Sequence, residues 1–245
     1  MGERVINETL RLHPPGWSIS RSAINDFELI GFRVPAGANV VMSPWVMHRD
    51  PRFFPDPEEF DPGRVDVSFN AIGIPDTDVV SVPLVDLDIK QFSVAITGYI
   101  TSYFLTARLA ARRMVANKSG VIMTVSALPA RTGTKLNGGY GAANAAKEAL
   151  TRDLSAELAA QGIRVVALRP HGMPETSTMR EVYELKAKAS GMTWEQFTGL
   201  LASTTHPRRV MTLDEMANVA AFVASDKASG MTGTTVNLTM GSLDD

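Results

Sequence analysis

The rhythm of apolar and polar positions changes near residue 64. Beyond that point, β-branched runs at 65–70, 121–126, 164–169 and 234–239 alternate with longer stretches of helical period. Those stretches fall at about 88–116, 139–161, 175–203 and 213–224. Such alternation predicts a parallel sheet with helices on its faces. Gly162 stands where one helix should stop and the next strand begins at once, the place of a glycine C-cap. The earlier residues read differently. Residues 4–13 have the period of a short amphipathic helix, which Pro14 and Pro15 end. Residues 27–34, centred on Gly31, and 39–42 read as strands flanking the turn Pro35-Ala36-Gly37. The aromatic- and proline-rich stretch 48–62 is expected to be irregular.

Composition shifts at the same place. Eight of the 14 prolines lie within residues 1–64, and the first lysine is Lys90. A chain of 245 residues can bury one large core or two small ones. The net charge of -2 argues against a nucleic-acid partner, and no basic run marks a membrane surface. No apolar stretch is long enough to cross a bilayer. Glu3, Arg4, Asn7 and Glu8 interrupt any signal-peptide core, so a cytoplasmic protein is expected. Cysteine is absent, which removes disulfides, thiolate nucleophiles and cysteine-ligated zinc or iron.

Glu8-Thr9-Leu10-Arg11 is an ExxR segment, followed by Leu12-His13-Pro14-Pro15. Pro35-Ala36-Gly37, His48-Arg49-Asp50-Pro51, Phe54-Pro55-Asp56-Pro57 and Phe60-Asp61-Pro62-Gly63-Arg64 follow in order. Together these resemble the heme-proximal part of a cytochrome P450. The resemblance implies an ion cluster of Glu8, Arg11 and Arg64, and places Arg21 near a heme propionate. The family's heme ligand is a cysteine, so its absence argues against heme. His13 and His48 sit in proline-rich turn sequences and read as turn or surface residues rather than metal ligands. No metal site is expected.

From about residue 63 onward the chain resembles the second half of a short-chain dehydrogenase/reductase. Residues 149–170 (ALTRDLSAELAAQGIRVVALRP) carry the strongest likeness. Residues 65–73 resemble the family's fourth strand and its Asn-Ala-Gly turn, with Ile72 inserted. Residues 120–126 resemble the strand that delivers the catalytic serine, and Tyr140-Gly141-Ala142-Ala143-Asn144 occupies the YxxxK position. The implied fold is α/β, a truncated Rossmann-like parallel sheet with flanking helices, preceded by a small irregular α+β segment. The implied catalytic residues are Tyr140, Ser126 and Asn144. The implied cofactor side, for NAD or NADP, is Asn70, Gly73, Pro170, Gly172 and Thr176.

Each position can be audited. The family's mechanism needs a lysine one turn after the tyrosine to lower its pKa. Asn144 stands there instead, and a neutral amide cannot do that to a phenol whose ordinary pKa is about 10. Lys147 shares the helix face but sits roughly 10 Å further along the axis, and reads as a solvated surface lysine. Family spacing lands on Ala127, with Ser126 one residue early; either a loop insertion keeps Ser126 in the site, or a strand shift turns it away. The family's helix-four asparagine falls on Tyr99 or Thr97. The loop 170–176 departs from the family's Pro-Gly pattern, and no Gly-rich phosphate turn occurs in residues 1–64.

The strand at 65–70 should then be an apolar edge, covered by the P450-like strands or by a second chain. Three functional readings follow: an oxidoreductase by descent with impaired or no NAD(P)-dependent activity, a non-catalytic oligomerising or binding protein, and a heme monooxygenase. The second would make a homo-oligomer through the helices at about 88–116 and 139–161, using Phe104, Leu105, Ala107, Leu109 and Ala146, Leu150, Leu154, Leu158. Met179, Tyr183, Met192, Trp194 and Phe197 would line an apolar substrate pocket or form one face of a helix. The two resemblances overlap on Gly63-Arg64, which suits a recombined or mis-joined reading frame better than a linker between evolved domains.

Overall fold

The structure, a computed structural model, describes residues 19–22, 25–29, 32–36, 39–42, 65–73 and 80–244. The chain divides into two compact units, Met1–Val65 and Asp66–Asp245. In the first, β1 (Ile19–Ser22) pairs antiparallel with β4 (Asn39–Met42). β2 (Phe27–Leu29) pairs antiparallel with β3 (Phe32–Val34), as a separate sheet. β1 was not anticipated from the sequence, because Ile19-Ser20-Arg21-Ser22 holds a single large apolar residue. The helix expected at 4–13, the stretch at 48–62, and Glu8, Arg11, His13, His48 and Arg64 lie outside the described residues.

The second unit is a Rossmann-like parallel sheet with flanking helices. Its strands are β5 (Val67–Asn70), β6 (Gly120–Val125), β7 (Ile163–Pro170) and β8 (Thr234–Leu238), in that spatial order and all parallel. β6 and β7 are central and almost entirely buried, which explains their near-continuous apolar runs. Val121, Met123, Val166 and Leu168 turn one way and form a core with Met216, Ala220 and Val223. The alternate residues point to the opposite face. β5 is bonded to β6 on one side. No described strand continues the sheet beyond it, and the N-terminal strands make sheets of their own.

Five helices connect and flank the strands: α1 (Ile89–Asn117), α2 (Tyr140–Leu158), α3 (Ser177–Ala189), α4 (Trp194–Ser203) and α5 (Leu213–Ala224). α1 starts where the Asp88 carboxylate accepts from the Lys90 and Gln91 amides, and ends on the left-handed Lys118. Its buried stripe, Ala95, Tyr99, Tyr103, Ala107 and Met114, lies along one helical face. Among the described residues, no helix is long and apolar enough to cross a membrane. The helical stretch expected at 175–203 is two helices, which corrects the sequence reading. Gly191 takes a φ of 65° after Ser190, and Thr193 opens α4 with a capping box to Gln196.

The buried face of α2 is polar rather than apolar: Asn144, Lys147, Glu148, Thr151 and Ser155 turn inward with Ala143. Each of the last two has a partner in this unit. Thr151 shares a 3.0 Å hydrogen bond with the Tyr103 hydroxyl of α1, and Ser155 a 2.7 Å bond with Thr232. Burial pushes the Tyr103 phenol up to about 12.

Gly162 ends this helical segment with a φ of +75°, and a Cβ there would run into the Lys118 carbonyl at the end of α1. Left-handed strain alone costs a non-glycine residue roughly 1–2 kcal/mol. Gly162→Ala is therefore expected to lower stability by more than about 2 kcal/mol. A fall in the urea midpoint at unchanged slope would show it, and an unchanged midpoint would contradict this packing.

Candidate functional site

At the carboxyl ends of the strands the second unit encloses a cavity of about 910 Å³. Open α/β sheets place ligands at this end. β6 delivers Ser126, the turn before α2 delivers Asn137, α2 delivers Tyr140 and Lys147, and the turn after β7 delivers His171 and Gly172. Thr176 caps α3, accepting from the Met179 amide at 3.3 Å. α3, α4 and α5 close the far side with Val182, Phe197 and Met216.

Six of the eight residues assigned from the sequence line this cavity: Tyr140, Ser126, Gly73, Pro170, Gly172 and Thr176. Asn70 and Asn144 do not. Asn70 is 7% exposed, and its side-chain amide donates to Ser102 and Thr106 of α1, both at 3.1 Å. Asn144 is 1% exposed and its amide donates to the Tyr140 carbonyl at 2.9 Å, along its own helix. Both amides brace α1 and α2 instead of facing the pocket.

Ser126 lies at the edge of the cavity, 2% exposed, with Ala127 beside it at 9%. Its hydroxyl donates to Glu148 Oε1 at 2.6 Å. That oxygen also accepts from Arg169 Nε, and Oε2 accepts from Arg169 Nη2, each at 2.8 Å. The two side chains are 2% and 4% exposed. This is a bidentate, fully enclosed ion pair joining α2 to β7, with the serine as a third member. The sequence reading did not identify it. Its signal was Arg169, a charged residue after the apolar run 165–168, and a glutamate on the stripe of Tyr140 and Asn144.

Lys147 corrects the sequence reading more directly. It is 3% exposed rather than solvated, with Nζ 5.0 Å from the centre of the Tyr99 ring. Tyr99 also meets Tyr140 edge-on, at 5.6 Å between ring centres. So Tyr99, at one of the two positions where the family has an asparagine, links the tyrosine and the lysine. Thr97, the other position, is exposed. Burial pulls the Lys147 amine down to about 8. Lys186 of α3 is likewise drawn down to about 8 by burial, and donates to Asn137 Oδ1 at 2.5 Å.

Tyr183 stands on Phe197 at 5.6 Å. Burial, then the neighbouring Tyr140, pushes its phenol up. A Cβ on Gly172 would strike the Tyr183 hydroxyl, so this turn needs glycine. His171 is 3% exposed, shares a 3.1 Å hydrogen bond with Thr204, and is held below the ordinary histidine range by burial. No group of three metal-binding side chains occurs among the described residues.

Comparison with known proteins places this geometry. Residues 58–242 match the family model described as Enoyl-(Acyl carrier protein) reductase, and the chain belongs to this short-chain dehydrogenase/reductase family. Residues 2–68 match the cytochrome P450 model. The two matches overlap at 58–68, around the Gly63-Arg64 join. The P450-like segment is similar to cyclooctatin synthase of Streptomyces melanosporofaciens, 48% identical over 62 residues. Those residues are 25% of this chain and 14% of that protein, so the chain spans a small part of the curated relatives it matches. Among solved structures it is similar to sorbitol-6-phosphate 2-dehydrogenase of Erwinia amylovora. The TM-score is 0.69 at 26% identity, over 75% of this chain and 70% of that one. It is also similar to an NAD+-bound xylitol dehydrogenase, with a TM-score of 0.67 at 26% identity, over 74% and 70% of the two chains.

The family implies a nicotinamide dinucleotide, and the described residues do not fit a whole one. Ser126, Tyr140 and Lys147 stand on the side where a nicotinamide ribose would be met. The Ser126 hydroxyl is already committed to Glu148, and the Asn144 amide to the helix backbone. On the pyrophosphate side no described strand continues the sheet beyond β5, and no described Gly-rich turn opens a helix onto the cavity.

The ion pair itself is testable. Glu148→Ala leaves the Arg169 guanidinium enclosed without its carboxylate, and is expected to cost about 3–5 kcal/mol of stability. Urea unfolding measures this; a loss of under about 1 kcal/mol would be that of an exposed pair.

Proposed function

We propose that this member of an oxidoreductase family binds a small, mainly apolar molecule in its cavity and carries out no nicotinamide-dependent hydride transfer. One observation carries the reading: the hydroxyl at the serine position is held by Glu148, which Arg169 locks in turn. A serine that orients a substrate carbonyl must donate its proton to that carbonyl. Here the proton faces a carboxylate, a charge-assisted bond worth about 1.5–3 kcal/mol. The carbonyl of a neutral substrate is a weaker acceptor than that carboxylate. The lysine expected one turn after Tyr140 is replaced by Asn144, and Lys147 is occupied against Tyr99. The pocket has kept its wall while the groups that would polarise a substrate have other partners.

NADH and NADPH titrations followed by nicotinamide fluorescence test this reading. No saturable binding is expected up to about 1 mM, the upper end of ordinary KM values. Saturation well below that, or turnover of any carbonyl substrate, would overturn it.

A second reading is association of the chain with itself through α1 and α2. Phe104 and Leu105 are each 44% exposed and Leu109 58%, on one stretch of α1. Ala107 is fully enclosed within the unit and cannot contribute. Ala146, Leu150, Leu154 and Leu158 of α2 are half-buried. Clustered apolar side chains of this kind favour a partner surface. Sedimentation velocity is expected to show a dimer that Leu105→Glu with Leu109→Glu converts to monomer; a monomeric unaltered chain would end this reading.

A further inference from the structure

Among the described residues, the wall of the cavity carries lysines and no acids. Lys147, Lys186 and the exposed Lys135 line it, and no described aspartate or glutamate does. Glu148 is near in sequence, but both of its oxygens are taken by Arg169 and Ser126. Neither cavity amine has a carboxylate within ion-pair distance among the described residues.

Each amine connects to Tyr140 through one neighbouring residue. Lys147 reaches it through the Tyr99 ring, and Lys186 through Asn137, whose carbonyl accepts the Tyr140 amide at 3.1 Å. Both amines are partly desolvated, which is why burial draws them down to about 8. At neutral pH they remain mostly protonated. They are partly desolvated cations with no described carboxylate beside them, and an entering anion would supply that charge. An apolar part of the wall includes Val182, Phe197, Met216 and Ala220, which are 7%, 8%, 6% and 8% exposed.

We infer that the cavity takes a long-chain monocarboxylate, its head group held at Lys147 and Lys186 and its chain lying against Val182, Phe197, Met216 and Ala220. This rests on the reading of the cavity as a binding site and goes further in naming the ligand class. No covalent step is involved. The amines serve as charge and hydrogen-bond donors, three N–H groups each.

Isothermal titration of the full chain near neutral pH, with dodecanoate, dodecanol and dodecylammonium as probes, tests the inference. Dodecanoate is expected to bind at least about tenfold more tightly than dodecanol, a difference of about 1.4 kcal/mol. Dodecylammonium is not expected to bind. Lys147→Met and Lys186→Met are each expected to weaken dodecanoate by about tenfold and leave dodecanol unchanged. Lys186 is half-buried, so its variant keeps the test open if Lys147→Met does not fold. Equal affinity for dodecanoate and dodecanol overturns the ligand class while the cavity remains a binding site. Failure of all three probes to bind overturns the inference and the binding-site reading together. Saturable NADH binding in the same protein contradicts the earlier reading, and leaves the dodecanoate preference to decide the ligand class.

Discussion

Glu148 and Arg169 are both charged and both almost fully enclosed, an arrangement that persists only when every charge and lone pair has a partner. Here the guanidinium fork meets the carboxylate with two hydrogen bonds, and Ser126 supplies a third. The pair joins the middle of α2 to the end of β7. Because a helix is rigid, that single contact sets the rotation of α2 about its axis. Tyr140, Asn144, Lys147, Thr151 and Ser155 share the stripe of Glu148 at helical spacing. Fixing Glu148 inward therefore fixes all of them inward. Replacing such a pair with apolar residues is often neutral for stability, whereas removing one partner is costly. What the pair contributes here is position.

That constraint bears on where the residues at the family's positions stand. Ser126 reaches the cavity edge because β6 ends there, yet it bonds to the carboxylate that its neighbour helix brings within 2.6 Å. Tyr140 reaches the cavity because the first turn of α2 overhangs it. Its electrostatic partner in the family is a lysine one turn on, and the inward-facing lysine of this chain comes almost two turns on instead. Tyr99 comes from α1 to meet both, with its ring 5.0 Å from the lysine Nζ and edge-on to Tyr140. A dehydrogenase pocket and its polar fittings are thus separable: the sheet and helices build the first, and a few side chains on one stripe determine the second.

The sheet and most of the helices were legible in the sequence because they depend on local signals. β6 and β7 announce themselves by apolar runs, Gly162 by its place after a helical stretch, and α5 by its period. The break between α3 and α4 was missed because the apolar spacing runs on through Ser190 and Gly191; the Thr193 and Gln196 capping box was the overlooked signal. The site was less legible because its decisive contacts are non-local. Ser126 and Glu148 are 22 residues apart, and Glu148 and Arg169 are 21 apart. The face of Lys147 could be read from its spacing to Tyr140. Its burial could not, because the Tyr99 ring that covers it arrives from another helix. Asn70 and Asn144 look like site residues in a row of letters, and the fold uses both as braces.

The same ion pair links the two functional conclusions. Glu148 accepts the Ser126 hydrogen bond, the contact on which the proposed absence of carbonyl polarisation rests. Its oxygens also accept from Arg169, so both are engaged away from the lysines of the wall. Lys147 and Glu148 are adjacent on α2 and point in different directions around its axis, so they do not face each other. Here the glutamate is claimed from the opposite side by a stronger, bidentate partner. The lysine is left enclosed with only an aromatic face against it. The proposed absence of hydride transfer and the proposed anion preference thus both trace to where the Glu148 carboxylate points.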